Sequence, residues 1–343
     1  MTERNSSFFI LARKLCTKLQ IFHDICELYI RRMMKKYILL GTALLTLLGA
    51  ASCKKTDDDT TNTPSLSGLT VNQVPPFLPK GSTLTYKANV DYITVSKGDM
   101  PGALGLYWQV NSAKRDTLTR DTAQSNPDFV YTADTLGTYN VFCYAYATGY
   151  YNASASSSFI VVDPETVLTD VEDPSGEVTV NGITWKAGNL NNGTCGLSFR
   201  NSSVLDAPMG RMYNWQEAQT ACPAGWHLPS LQDFKTSFAE TSGVIHSGDL
   251  MADASFRGEK MWEYWSGVTV TNKYGFNAIP LGYIDSSDTI NTYDKWGEYA
   301  CWWTSDSAGG MGVYLYLFEK EPEALTGKGD KESLYLSVRC IKD

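Results

Sequence analysis

Tryptophan and cysteine are unevenly placed in this chain. Eight of its nine tryptophans lie after Gly176, as do four of the five cysteines that follow Cys53. Rings of that size dominate whatever core encloses them, so the C-terminal half must fold as an aromatic-rich module of its own. Whether its thiols pair depends on the compartment. Lys35-Lys36, the 15-residue apolar run Tyr37–Ala51 and then Ser52-Cys53 give the answer. A basic start, a short apolar stretch and small residues are the pattern of a secretory signal. The run is shorter than the roughly 20 residues a membrane-spanning helix needs. The chain is therefore expected to leave the cytosol, where disulfides can form.

Gly49-Ala50-Ala51-Ser52-Cys53 resembles a bacterial lipobox, with Leu48 further from the cysteine than the usual pattern places it. The resemblance implies a signal peptide over 34–52, cleavage before Cys53, acylation of that cysteine, and a lipid anchor in the outer membrane. A plain cleaved signal is the alternative. Residues 53–68 open with Lys54-Lys55-Thr56-Asp57-Asp58-Asp59 and continue as a Thr/Asn/Pro/Ser stretch, a composition that reads as a disordered tether. Lysines followed by acids look like the surface-export signals of Bacteroidetes lipoproteins. Residues 1–33 mix charged and apolar residues ahead of a signal that should come first, which points to a start codon placed too early.

Charge removes several classes of function. The chain carries 29 basic and 37 acidic residues, and after Ser52 the count is 21 against 34, a net −13. Such a surface excludes nucleic acid as a partner. His23, His227 and His246 are the only histidines, too few for a multi-histidine metal enzyme.

Residues 69–162 read as strands. Leu84, Tyr86, Ala88 and Val90 alternate, Leu106–Val110 carries Trp108, and Thr138–Tyr146 and Ser157–Val162 are β-branched or aromatic. Short spacing between turn clusters predicts a β-sandwich. Leu136–Val141 and Phe159–Val162 resemble the closing strands of Ig-like repeats of the polycystic-kidney-disease type. Cys143 is expected to be a buried free thiol, and the module a spacer. Residues 163–176 hold five acids, two prolines and no base, which predicts an interdomain linker. Asp116-Thr117-Leu118, Asp121-Thr122-Ala123 and Asp134-Thr135-Leu136 look like bacterial O-glycosylation triplets.

The C-terminal module, 177–343, carries seven ordered blocks: Val180–Trp185, Gly188-Asn189-Leu190, Tyr213–Ala218, Cys222–Ser230, Gly275–Tyr283, Trp302–Ser305 and Ser337–Asp343. Together they resemble the Fibrobacter succinogenes major paralogous domain. That resemblance implies a secreted or surface module with no established catalytic residues. Cys301 beside Trp302, the charged insert 319–331 and the lack of a Lys-rich segment depart from the pattern.

Local signals place two helices. Asn214 caps one in which Trp215, Ala218 and Cys222 share a face, ended by Pro223. Ser230 and Asp233 form a capping box opening another, with Leu231, Phe234 and Phe238 inward and Gly243 at its end. The last strand is expected over 334–341. Two helices followed by a small loop-rich sheet resemble the C-type lectin-like fold, so the whole chain is expected to be β-rich with an α+β C-terminal domain. In that fold the cysteine ending the first helix pairs with one in the last strand, positions that Cys222 and Cys340 occupy. Cys195 and Cys301 are then left to each other, one of three connectivities that four cysteines allow.

The aromatics Trp262, Tyr264, Trp265, Tyr293, Trp296 and Tyr299, with Asp294, Glu298 and Asp306 beside them, form a candidate ligand surface, because flat rings and carboxylates suit sugars. Equally, a small domain buries such rings as core, and one of Trp302 and Trp303 is expected there. Asp285, Asp288, Asn291 and Asp294 offer oxygens for calcium but lack EF-hand spacing. No other metal or cofactor is expected. His227 is expected to be a buried ring bonded to backbone, and His246 idle. Three functions follow: a non-catalytic surface lipoprotein binding a glycan, a component assembling with a surface protein, and an enzyme related to formylglycine-generating proteins. The last rests on Trp226–Ser230 resembling their Leu-Pro-Thr turn, and lacks the reactive cysteine pair.

Overall fold

A computed structural model of the chain describes residues 63–112, 128–262, 268–288 and 293–343. Cys53 and the proposed signal and lipobox lie outside these. Residues 64–343 form one compact unit.

The first module is a two-sheet sandwich. Strands β1 (Phe77–Pro79), β3 (Gly105–Ser112), β5 (Gly137–Tyr146) and β6 (Ala153–Val162) make one sheet in the order β1-β6-β5-β3, with β1 parallel to β6. Strands β2 (Ser82–Asn89) and β4 (Asp128–Ala133), with Thr70–Val71, make the other. Alternation decides which residues turn inward: Tyr139, Val141, Cys143 and Ala145 of β5 are buried, while their neighbours are half-buried. Trp108 stacks on Phe129 at 5.4 Å in the core. Cys143 is a free buried thiol, and burial pushes it up to about 12.

Tyr139 turns the corner into β5. Its hydroxyl donates to the Thr135 carbonyl at 2.8 Å and lies 2.6 Å from the Thr135 hydroxyl, the corner that sandwiches of the Ig type share. Thr135, in the triplet Asp134-Thr135-Leu136, is exposed and its hydroxyl shares in this corner. The other two triplets lie outside the described residues.

The segment 163–176 is not a free linker. Val167 is 4% exposed, Leu168–Thr169 pairs antiparallel with Ser255–Phe256, and the Glu172 carbonyl accepts from Asn277 Nδ2. Phe77 and Val162 of the sandwich enter the same apolar cluster as Phe199, Leu205, Met209 and Ile279 of the C-terminal module. Apolar residues among the acids (Val167, Leu168, Val171) make the segment a strap that welds the two modules.

In the second module, β7 (Glu177–Val180), β8 (Ile183–Lys186) and β14 (Ile341–Lys342) form a small sheet with Trp226–His227. The larger sheet runs Leu197–Ser198, β9 (Arg211–Tyr213), β13 (Leu334–Ser337), β10 (Tyr299–Ala308), β11 (Met311–Phe318) and β12 (Leu325–Gly329). Helices α1 (Trp215–Ala221) and α2 (Leu231–Phe238) open on reciprocal capping boxes, Asn214 with Glu217 and Ser230 with Asp233. Helix α2 stops at Phe238, before Gly243, which lies in the turn beyond. Cys222 at the end of α1 is bonded to Cys340, with Cα atoms 5.9 Å apart. The strand expected over 334–341 is broken between β13 and β14, just where Cys340 sits. Both Trp302 and Trp303 are fully buried, on opposite faces, because this sheet is covered on both sides.

Candidate functional site

The sequence blocks converge on one buried cation. Arg339 is 1% exposed. Its Nε donates to Asn189 Oδ1 at 3.0 Å, Nη1 to the Lys186 carbonyl at 3.1 Å and Nη2 to the Asn277 carbonyl at 3.2 Å, while its guanidinium lies 4.3 Å from the Phe276 ring centroid. Asn189 Oδ1 also accepts from Trp302 Nε1 at 2.9 Å. Burial pulls the guanidinium down to about 9, still charged at neutral pH. Four of the seven blocks are thus tied together by Arg339. Their role in this chain is architectural.

Among the described residues, Trp262, Trp296 and Tyr299 of the expected aromatic surface lie in three different apolar clusters. Trp262 is 3% exposed, with Nε1 donating to the Ala278 carbonyl at 3.2 Å, and belongs to the core around Trp185 and Trp302. Trp296 packs at 4.7 Å from Phe199 and edge-on to Phe256, against the strap. Tyr299 belongs to a third cluster, around Cys301 and Trp303. Trp262 is therefore corrected from ligand surface to core. Asp306 is corrected too: its Oδ2 accepts from the Leu231 amide at 2.7 Å, completing the N-terminus of α2. Trp265 and Tyr264 lie outside the described residues, as do the side chains of Tyr293 and Asp294.

Cys195 and Cys301 are not bonded to one another. The strand beginning two residues after Cys195 is separated from β10, which carries Cys301, by β9 and β13. Three strand spacings amount to about 14 Å, and a disulfide needs Cα atoms within about 7 Å. Cys301 is buried, which raises its thiol well above the ordinary range.

Asp285 Oδ1 accepts from the amide and hydroxyl of Ser287, a local turn. Among the described residues no group of three or more metal-ligating side chains gathers, and Asn291 lies outside them. His227 is not buried: its side chain is 52% exposed and Nδ1 lies 2.6 Å from Asp343 Oδ1. The chain turns it outward because Trp226–His227 is a sheet edge paired only with β14.

What the structure does assemble is a row of rings on one face of β10 and β11. Tyr299 stacks on Phe318 at 4.6 Å, lies 5.9 Å from Tyr316, and Tyr316 is 5.7 Å from Tyr314. All four are half-buried, while Val313, Leu315 and Leu317 turn inward. Gly327, directly opposite Tyr314, leaves room for its ring; a Cβ there would come within 2.3 Å of Tyr314 Cζ. Desolvation raises the hydroxyls of Tyr299 and Tyr314, the latter to about 12, so both are neutral donors and acceptors. Of these rings only Tyr299 was in the expected set, although Tyr314-Leu315-Tyr316-Leu317-Phe318 alternates with period two. A second strip lies on the sandwich, where Tyr107 stacks on Tyr144 at 4.7 Å and Phe142 lies 6.3 Å from Tyr144.

No curated protein matches the chain. Among solved structures, the PKD domain of human KIAA0319 aligns with 31% of this chain and 91% of its own length, at 12% identity and a TM-score of 0.20. The Yersinia pseudotuberculosis adhesin InvE aligns with 81% of this chain and 70% of its own, at 15% identity and a TM-score of 0.23. At such scores the fold stands on its own contacts. Residues 175–342, just under half of the chain, match the family model of the Fibrobacter succinogenes major domain, which supports the family that the seven blocks resemble.

Proposed function

We propose that the chain is a cell-surface lipoprotein, anchored in the outer membrane through Cys53, whose C-terminal module is a non-catalytic, lectin-like binder of an extracellular polysaccharide or other glycan. The observation that carries the reading is the row Tyr299, Tyr314, Tyr316 and Phe318. Sugar rings offer C–H faces that stack on such planes and hydroxyls that bond to tyrosine. The two capped helices and the Cys222–Cys340 staple support the lectin-like arrangement. Asp233, Glu217 and Asp306 are spent on helix N-termini, which favours binding over turnover.

A glycan array probed with Lys54–Asp343, with and without a chelator, tests this. Retention on a polysaccharide class is expected, falling about tenfold in Tyr299→Ala/Tyr316→Ala, the ~1.4 kcal/mol expected of two lost ring contacts. Loss in the chelated arm would bring calcium into the site. If Phe142→Ala/Tyr144→Ala abolishes retention instead, the binder is the sandwich. A blank array, with a protein recovered from outer membranes, would replace this reading with an assembly role.

A further inference from the structure

We propose that the end of the sandwich from which the chain runs back to Cys53 rests on a lipid surface, with Tyr92, Met100 and Tyr151 set into the headgroup layer. This rests on the reading of Cys53 as the anchor. The three side chains are among the most exposed large apolar groups in the described residues, at 71%, 49% and 52%. Single exposed apolar residues need no explanation. These three converge on one stretch of chain.

Tyr151 donates its amide to the Pro64 carbonyl and accepts from the Leu66 amide, both at 2.9 Å. Leu66–Ser67 pairs with Thr94–Val95, two residues beyond Tyr92, and the Tyr92 carbonyl lies against Gly68. The Tyr150 hydroxyl donates to the Asp99 carbonyl at 2.8 Å, which brings the Met100 loop to the same end. The segment that gathers all three is therefore Pro64–Gly68, where the chain emerges from the ten-residue run after Cys53. Fully extended, that run reaches about 40 Å at most, so an acylated Cys53 keeps this end near the bilayer.

Polarity and direction agree. The charged residues of the loops 64–68, 90–100 and 147–151 are Asp91, Lys97 and Asp99, close to balance. Contact would come from amphipathic rings and a thioether, which settle at headgroup depth, and not from attraction to anionic lipid. The opposite end of the same sandwich holds the second module: β6 starts two residues after Tyr151 and ends at Val162, inside the shared apolar cluster. A strand of ten residues spans about 33 Å, which sets the joint with the second module that far from the Tyr151 end.

Hydrogen exchange on vesicles of phosphatidylethanolamine and phosphatidylglycerol tests the contact. The chain from Lys54 carries an N-terminal hexahistidine and is held by a nickel-chelating lipid, so the anchor does not depend on acylation. Amides of 90–100 and 147–151 are expected to exchange several-fold more slowly on vesicles than in solution, at low and at high salt, with 299–318 unchanged. Tyr92→Ser/Met100→Ser/Tyr151→Ser should restore the solution rates. Equal rates on and off vesicles, or protection that the triple variant keeps, overturns the proposal. Intact mass of the natural protein reads the acyl group on Cys53 separately, so the two ideas fail independently.

Discussion

Asn189 Oδ1 holds two buried donors at once, Arg339 Nε at 3.0 Å and Trp302 Nε1 at 2.9 Å. No carboxylate is among the three acceptors of the Arg339 guanidinium, so its charge is met by carbonyl oxygens and a ring face. Removing the shared acceptor strands both donors. Asn189→Ala should cost about 3 kcal/mol, the penalty for an unmet buried charge-assisted bond plus an indole N–H. Urea unfolding of Lys54–Asp343 measures it; a loss under 1 kcal/mol would mean that water replaces the amide.

Much of this was readable from local chemistry. Asn214 as a cap and Ser230 with Asp233 as a capping box announced both helices, because capping is decided within one turn of chain; the reciprocal Glu217 of the first came only with the structure. The staple was legible only through resemblance, since 118 residues separate Cys222 from Cys340. Trp262 and Tyr316 could not be ranked beforehand: whether a ring is covered depends on which sheet face receives a second layer, and no local pattern encodes that. The strap misled for a different reason. Five acids outweighed Val167, Leu168 and Val171, yet three apolar side chains suffice when a ready edge at Ser255–Phe256 awaits them.

The thiols can be counted. Cys143 and Cys301 are buried and Cys195 is half-buried, all three free, while Cys222 and Cys340 are bonded. Reactivity follows exposure and thiolate character. In a chain starting at Lys54, an alkylating agent should therefore modify Cys195 alone in the native state, add Cys143 and Cys301 in denaturant, and reach the last two only after reduction. Intact mass reads each step. A native protein with no reactive thiol, and Cys143 alone gained in denaturant, would restore the Cys195–Cys301 bond.

Acid should loosen the strap. The Ser255 hydroxyl, 2.7 Å from Asp170 Oδ2, and then Lys260 hold the Asp170 carboxyl below its ordinary value. A carboxyl depressed in the folded state contributes stability above its unfolded value and loses it as pH falls through the folded one. Lys260, raised chiefly by Asp253, works in the other direction and gives way only in strong alkali. Protection of the Leu168 and Thr169 amides should thus be level near neutrality and fall below about pH 4. Ser255→Ala should move that fall to higher pH. Protection that stays flat down to pH 3 would show that the apolar contacts alone hold the strap.

The weld between modules predicts how far each can stand alone. The Phe77 amide donates to Ser202 Oγ at 3.1 Å and its ring meets Phe256 edge-on at 5.5 Å. Phe77 belongs to the shared cluster and not to the sandwich core, so Phe77→Ala tests the joint without hollowing the sandwich. Filling that site is worth about 3–4 kcal/mol. In calorimetry the intact Pro64–Asp343 unit should melt in one transition, and Phe77→Ala should split it in two. A fragment starting at Glu177 should melt lower and bind a hydrophobic dye through Phe256, which loses both Phe77 and the Leu168 pairing to the cut. One starting at Asp163 should recover part of the loss, because it restores Val167 and the Leu168–Thr169 pairing. If the two fragments and the intact unit melt together, the modules are independent and the strap is a tether after all.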